Sequence, residues 1–379
     1  MTSDNHGPWL ESLYVDGVRN LATQRMEFAP GGNVIVGPNG SGKSSILEAV
    51  SLLATGRSFR SNAMGPVIQH GREDCVVQAR VVVNSGTWSL GMRRTRSGEL
   101  TLRINGEPAT SLAEFATVLP AIIIDPTSTE LVGGPPEGRR RLLDGALFHV
   151  EQGFIDIWRR YQRALKQRNA GLRHGTIDSN DPWLPELVKA GTILTAHRAG
   201  LVERLGPVFA RVLAELSPDL ASIQLAYRPG WDQAGTLEAA MSKSLESDQA
   251  RGFTHVGPHR GDLRLLWAGR SAAEVVSRGQ LKLTTIALRL AQGQLMAEGQ
   301  SGVPVYAVDD MAAELDLNHL VRVGELLKAA ASQVLITTVG EQAVAGLWSA
   351  GAKKLFHVEQ GAVVADAASP GESNELHDG

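Results

Sequence analysis

The sequence has a single cysteine, Cys75, few aromatic residues, and no apolar run near the ~20 residues that cross a bilayer. One thiol excludes a disulfide framework and any cysteine-rich metal centre. The short apolar runs exclude a membrane-spanning helix, so no membrane partner is expected. The opening residues MTSDNHGPWLES lack a basic segment followed by an apolar one and do not read as a secretory signal. A dominant charge sign is missing too. With 37 Lys and Arg against 40 Asp and Glu, the net charge is −3, so nucleic-acid binding has to be sought in local clusters. These absences describe a cytoplasmic globular protein, and 379 residues suffice for two or more domains.

The stretch that organises the chain is 34–45. Val34, Ile35 and Val36 make a short buried strand. Gly37-Pro38-Asn39-Gly40-Ser41-Gly42-Lys43-Ser44 then matches G-x-x-x-x-G-K-S, with Ser45 following and an apolar helix from Ile46. Strand, glycine loop and helix are the context of a phosphate-binding P-loop, which a chance glycine turn would lack. Residues 37–45 are therefore the candidate ATP-binding loop. Its N–H groups and the helix dipole face phosphate. Lys43 would pair with the β- and γ-phosphates, and the Ser44 hydroxyl would ligate Mg²⁺. The motif implies a nucleoside triphosphate without saying what it is used for.

Around the loop, Leu10–Val15 and Gln24–Phe28 read as strands. Cys75–Val83, Thr87–Arg93 and Leu100–Ile104 read as an antiparallel sheet, with Arg93, Arg94 and Arg96 as its charged edge. Gly56-Arg57-Ser58-Phe59-Arg60-Ser61 is a basic loop, readable as a solvated turn or as a contact with nucleotide or DNA phosphate. Ala121–Ile124 is a further buried strand. From Gly138 to about Pro218 the pattern becomes helical, with Phe154, Ile157, Trp158, Tyr161, Leu165 and Leu172 as an apolar stripe. Two long stretches, the second spanning Trp183–Leu216, predict an antiparallel helical arm. Between Gly138 and Arg173, nine Lys and Arg face three acids. Arg159, Arg163 and Lys166 share one face, which is either solvated or DNA-binding. His255 and His259 are four apart, but Gly257-Pro258 breaks any helix between them, so a turn is predicted rather than a zinc pair.

Ser277-Arg278-Gly279-Gln280 precedes a long helix. It is a capping box, S-x-x-Q, and also resembles the signature of ABC-type ATPases. There the serine hydroxyl and glycine N–H meet the γ-phosphate of ATP held by the other subunit. Val305–Val308 then runs into Asp309-Asp310. Asp309 would hold Mg²⁺ as a Walker B acid. Asp310 would polarise the attacking water, so Lys43 and Asp310 are the catalytic candidates. Ala313-Glu314-Leu315-Asp316 resembles a D-loop, and Gln333–Val339 is the next strand.

Together these motifs make the chain resemble the RecF family of bacterial DNA-repair ATPases, related to the SMC proteins. The matching residues are Gly37–Ser45, Gly56–Ser61, Gly133–Arg141, Leu165–Asn169, Gly257–Leu263, Ser277–Leu281 with Ala287–Gly293, and Asp309–Asp316. The resemblance implies an α/β fold. An ABC-type ATPase head, with a mixed sheet plus an antiparallel β subdomain, would carry an inserted helical arm. The head halves would be residues 1–137 and 253–364, the arm 138–252, and 365–379 a disordered acidic tail. It also implies an ATP-dependent homodimer on DNA that works with RecO and RecR in loading recombinase at gaps. Three departures point to a slow ATPase. Asp310 stands where many ABC ATPases carry Glu, Thr337-Thr338 where a switch histidine is expected, and no clear Q-loop glutamine follows Ile124. The alternatives are another SMC-like chromosome-maintenance ATPase, a small-molecule phosphotransferase, which the signature disfavours, and a transporter ATPase, which the basic arm disfavours.

Overall fold

A computed structural model of the chain describes residues 7–61, 63–310, 315–340 and 353–364. They fall into two compact units, one drawn from Met1–Asp125 with Pro304–Gly379, the other from Pro126–Val303.

The first unit opens with the antiparallel pair β1 (Trp9–Asp16) and β2 (Gln24–Glu27). β3 (Gly31–Val36) leads through the glycine loop into α1 (Lys43–Thr55). A meander of β4 (Asp74–Val83), β5 (Gly86–Thr95), β6 (Leu100–Ile104) and β7 (Glu107–Pro108) follows. Then come α2 (Leu112–Val118) and β8 (Ala121–Ile124). The antiparallel sheet has the order β2-β1-β4-β5-β6-β7. The period of two is visible in β4, where Cys75, Val77, Ala79 and Val81 are buried. That inner face packs on Ile46, Leu47, Val50 and Leu53 of α1, so the helix behind the P-loop is gripped along its length. Burial pushes the Cys75 thiol up to about 11, as befits a packed rather than a reactive sulfur.

In the second unit, α3 (Glu130–Gly133) is followed by α4 (Pro136–Val150), α5 (Phe154–Arg173) and α6 (Leu184–Leu216), which runs on through Pro207. β9 (Gln224–Arg228), α7 (Leu237–Arg251), β10 (Asp262–Trp267), β11 (Arg270–Ser271) and α8 (Arg278–Ala297) complete it. Motif order assigns residues 253–303 to the head. By packing they lie with the helices, because α8 lies against α4 and α6 and Arg139 grips Asp262 at 2.7 Å. Two motifs of the family resemblance turn out to be buried joints. Arg168 donates to Asp181 and Asp248 at 2.6 Å each and to Thr254 at 2.7 Å, while Thr254 donates to Asn169 at 2.8 Å. Arg198 donates to Asp144 and to the Pro258 carbonyl. His259 is held between the Tyr161 hydroxyl, 2.7 Å from Nδ1, and the Thr254 carbonyl, 2.9 Å from Nε2. Both ring nitrogens are thereby used, in a turn as predicted.

The chain returns to the first unit with β12 (Val305–Val308), α9 (Leu317–Ala330), β13 (Gln333–Thr338), β14 (Lys353–Glu359) and β15 (Ala362–Val364). The second large sheet has the order β15-β14-β3-β13-β12-β8, parallel except for β15. Three parallel strands, β3, β12 and β13, thus end side by side, delivering Gly37, Asp309 and Thr337-Thr338 to one edge. Ligands of open α/β sheets bind at that carboxyl edge.

One expectation is corrected here. Arg93, Arg94 and Arg96 do not protect a sheet edge, since β5 is paired on both sides by β4 and β6. Arg93 pairs with Asp74 at 2.6 Å, Arg94 is partly buried, and Arg96 wraps the loop beside the glycine motif.

Candidate nucleotide site

The loop after β3 needs glycine for two different reasons. A Cβ on Gly37 would stand 2.3 Å from the Val358 carbonyl oxygen of β14. Gly40 and Gly42 have φ of 80° and 115°, the left-handed region that other residues enter only with strain. The loop is tied down from the C-terminal hairpin, where the Gly361 N–H donates to the Ser41 carbonyl at 2.7 Å. Gly361 itself has φ 85°, and a Cβ there would meet the Asn20 carbonyl at 1.9 Å.

Lys43, the first residue of α1, curls back so that its ammonium donates to the Gly37 and Pro38 carbonyls at 2.7 and 2.9 Å. Burial lowers its pKa, and the neighbouring Asp309 and Asp310 carboxylates oppose that shift. Ser44 donates its hydroxyl to Asp309 Oδ1 at 2.9 Å, and Thr337 donates to the same oxygen at 2.6 Å. The Asp310 N–H donates to the Thr337 hydroxyl at 2.9 Å, and the Asp309 N–H to the Ile124 carbonyl. Burial raises the Asp309 pKa, the two hydroxyls lower it, and Asp125 and Asp310 raise it further. Asp310 sits at φ 50°, a left-handed conformation unusual outside glycine.

These groups line a cavity of about 580 Å³ whose remaining wall includes Arg19, Asn20, Asn39, Arg60, Gln69, His70 and Arg96. The donor set suits a nucleoside triphosphate with a hard cation. A lysine and a hydroxyl start the helix, a buried carboxylate lies beside them, and the Ser41 hydroxyl is buried without a hydrogen-bond partner. Mg²⁺ would lie against Ser44 and Asp309.

The structure thus brings Asn39, Gly40, Gly42, Lys43, Ser44, Ser45, Asp309 and Asp310 to one cavity, with Gly37 and Pro38 holding Lys43 beside it. It also brings to the site residues that the sequence read otherwise. Arg19 and Asn20 were legible only as a turn, and Asn20 accepts from Ser45 at 3.1 Å while donating to the Gly40 carbonyl at 3.1 Å. Arg96 donates to the Ile68 and Gln69 carbonyls, fixing the loop that carries His70. Thr337 fills the place of the missing histidine with a hydroxyl that binds Asp309.

In the second unit, Ser277 caps α8. Its hydroxyl accepts from the Gln280 N–H at 3.3 Å, and its own N–H donates to Gln280 Oε1 at 2.9 Å. Ser277 and Arg278 are exposed, and Gly279 and Gln280 are partly so. Arg159, Arg163 and Lys166 are exposed on one side of α5, with Asp156 3.9 Å from Arg159. Ala313 and Glu314 of the D-loop segment lie outside the described residues, as does the tail from residue 365. Asp316 caps α9 by accepting from the His319 N–H.

Residues 9–363 match the family described as RecF/RecN/SMC N terminal domain. The sequence is 43% identical over 358 residues to the DNA replication and repair protein RecF of Pseudomonas putida strain GB-1, covering 93% of this chain and 97% of that one. The chain belongs to the RecF family. The RecF of Pseudomonas entomophila is equally similar, at 43% identity. Among solved structures, one of the recombination mediator protein RecF with ATP in the RecFOR pathway superposes with a TM-score of 0.84. It is 25% identical and covers 97% of this chain and 100% of that one. An Smc head bound to the C-terminal winged-helix domain of ScpA superposes at 0.55 with 19% identity and 94% coverage of this chain, a likeness of fold. The ABC-type head anticipated from the motif order is thus the fold of the RecF family and of SMC heads.

Proposed function

We propose that this RecF-family chain is an ATP-gated DNA-binding protein of recombinational repair and replication restart. One observation carries the nucleotide half of this reading. The P-loop serine, Ser44, and the strand-end acid, Asp309, meet at 2.9 Å in a cavity that also holds Lys43 and Asp310. Asp309 and Ser44 would hold Mg²⁺, which neutralises charge on the β- and γ-phosphates when bound. Lys43 would exchange its two loop carbonyls for phosphate oxygens. Asp310 would align the attacking water, its position fixed through Thr337. The Ser277–Gln280 turn at the N-terminus of α8, with Ser277 and Arg278 exposed, would complete the site of a second copy. ATP thereby becomes the glue of a homodimer, and hydrolysis its release. A shorter acid, Asp310, in place of glutamate and a threonine in place of histidine favour slow turnover, suited to timing.

DNA is the partner that fits the basic face of α5, and RecO and RecR are the partners suggested by the RecFOR relative. In that setting the dimer would mark gapped duplex for recombinase loading in the cytoplasm. The test is oligomeric state and DNA binding measured without nucleotide and with ADP, ATP or a non-hydrolysable analogue. Dimers and DNA binding should appear with ATP and the analogue. Lys43→Ala should lose both, together with nucleotide affinity, because charge-assisted bonds of roughly 1.5–3 kcal/mol each are removed. Normal nucleotide affinity in Lys43→Ala would overturn the assignment.

A further inference from the structure

Glu48 lies one helical turn beyond Ser44 on α1 and is fully buried, with 0% exposure. A buried carboxylate is costly unless its oxygens are filled by cations and donors. Here Arg19 takes both oxygens, Nε donating to Oε2 at 2.8 Å and Nη2 to Oε1 at 2.6 Å. The Ser58 hydroxyl donates to Oε1 as well. Ser58 Oγ in turn accepts the backbone N–H groups of Arg60 at 3.0 Å and Ser61 at 2.9 Å. One carboxylate therefore fixes the turn before the P-loop strand and the basic loop after α1. Arg19 itself sits at φ 51°, in the left-handed region, and its Nη1 is spent on the Pro66 carbonyl at 2.6 Å.

Arg19 and Arg60 line the nucleotide cavity and Glu48 does not. Among the described residues of its wall, they join Lys43 and Arg96 to set four Lys and Arg against the two acids Asp309 and Asp310. Left alone, such cations repel one another, and the half-exposed Arg60 would swing into water. Arg60 Nη1 stands 3.8 Å from Glu48 Oε2, near enough for attraction but too long for a hydrogen bond, so its donors stay available.

We propose that Glu48 is a positioning residue of the nucleotide site. It touches no nucleotide but, through Arg19 and the Ser58 hub, holds the Arg60 guanidinium facing the bound phosphates. Ser58 and Arg60 form one lever with it. The proposal rests on the cavity being the nucleotide site.

The test is binding of a fluorescent ATP analogue to the full chain and to Lys43→Ala, Glu48→Gln, Ser58→Ala, Arg60→Ala and the Glu48→Gln/Arg60→Ala double variant. Glu48→Gln, Ser58→Ala and Arg60→Ala should each weaken binding about tenfold, the worth of one charge-assisted hydrogen bond. The double variant should lose less than the product of its two singles, because both act through Arg60. Glu48→Gln leaves Arg19 facing an amide and will melt earlier. Ser58→Ala keeps the Glu48–Arg19 pair, so it should melt as the parent does while still losing affinity, a split that a merely structural carboxylate would not produce. Parent-like affinity in folded Ser58→Ala, or full multiplication of the two losses in the double variant, overturns the positioning role. If Lys43→Ala binds like the parent, the nucleotide reading itself falls, and this inference with it.

Discussion

Thr337 donates its hydroxyl to Asp309 Oδ1 at 2.6 Å and accepts the Asp310 N–H at 2.9 Å, so one side chain sets both acids at the end of β12. In the proposed site Asp309 faces Mg²⁺ and Asp310 faces water. Thr337→Val, which keeps the shape and removes the hydroxyl, should leave nucleotide affinity within a few-fold and lower the ATPase rate about tenfold, the cost of one missing hydrogen bond near the reacting groups. Steady-state turnover beside equilibrium nucleotide binding decides. An unchanged rate would leave Thr337 a packing residue only.

Asp310→Asn should bind ATP and Mg²⁺ but lose hydrolysis, because the amide keeps the shape and discards the basic oxygen. ATP-bound dimers should persist, and DNA should dissociate more slowly from them. Hydrolysis at the parental rate would remove Asp310 from the water-positioning role.

Ser277→Arg should bind ATP as a monomer and fail to dimerise, since a bulky cation would occupy the approach to the partner's γ-phosphate. Mixed with Lys43→Ala, it should recover part of the ATPase activity. One composite site would then pair an intact Lys43 with an intact Ser277. Silence of the mixture, with heterodimers shown to form, would argue against composite sites.

Arg159, Arg163 and Lys166 are exposed at i, i+4 and i+7 of α5. Changing all three to Glu should weaken DNA binding and reduce the log–log salt slope by roughly 0.9 for each duplex phosphate that is no longer neutralised. ATP affinity should not change, because α5 belongs to the other compact unit. Titration at three salt concentrations with nucleotide fixed would expose a purely solvated face by an unchanged slope.

His149 and His259 are held down to about 4, mainly by burial. The unfolded chain takes up these protons first, near the ordinary histidine pKa of about 6.5. Stability should therefore be intact above about pH 6.5 and fall as pH drops towards 4, by on the order of 3 kcal/mol for each residue. His259→Gln, less stable at neutral pH for want of its two hydrogen bonds, should show a shallower acid slope in thermal unfolding. An identical slope would clear His259 of the effect.

What could be read beforehand was what sequence spacing encodes. The P-loop, the apolar strand ending in Asp309-Asp310 and the capped helix at Ser277 are local patterns, and each lies on the predicted element. The second long helical stretch, expected over Trp183–Leu216, is α6, Leu184–Leu216. Arg19, Asn20 and Glu48 escaped, and Thr337 was read only as a missing histidine, because their meaning lies in partners far along the chain. Nothing near Glu48 says that Arg19 will meet it, and helix-forming glutamates are ordinarily solvated. Arg93 and Arg94 misled for a related reason, since a charge on a strand reads as an edge until both neighbours of that strand are known. β14 and β15 carried no turn or capping signal strong enough to be picked out.

The hairpin of β14 and β15 gives the molecule an order of assembly. Gln24 donates to the Gly361 carbonyl across 337 residues of chain, and the Gly361 N–H closes on the Ser41 carbonyl. A ribosome making this protein delivers the glycine loop long before its clasp. During synthesis the nascent P-loop lacks the strand that flanks it, and pairings of such span are slow to form. A chain stopped before residue 353 would leave the glycine loop without that clasp, and should bind nucleotide less tightly than the full chain.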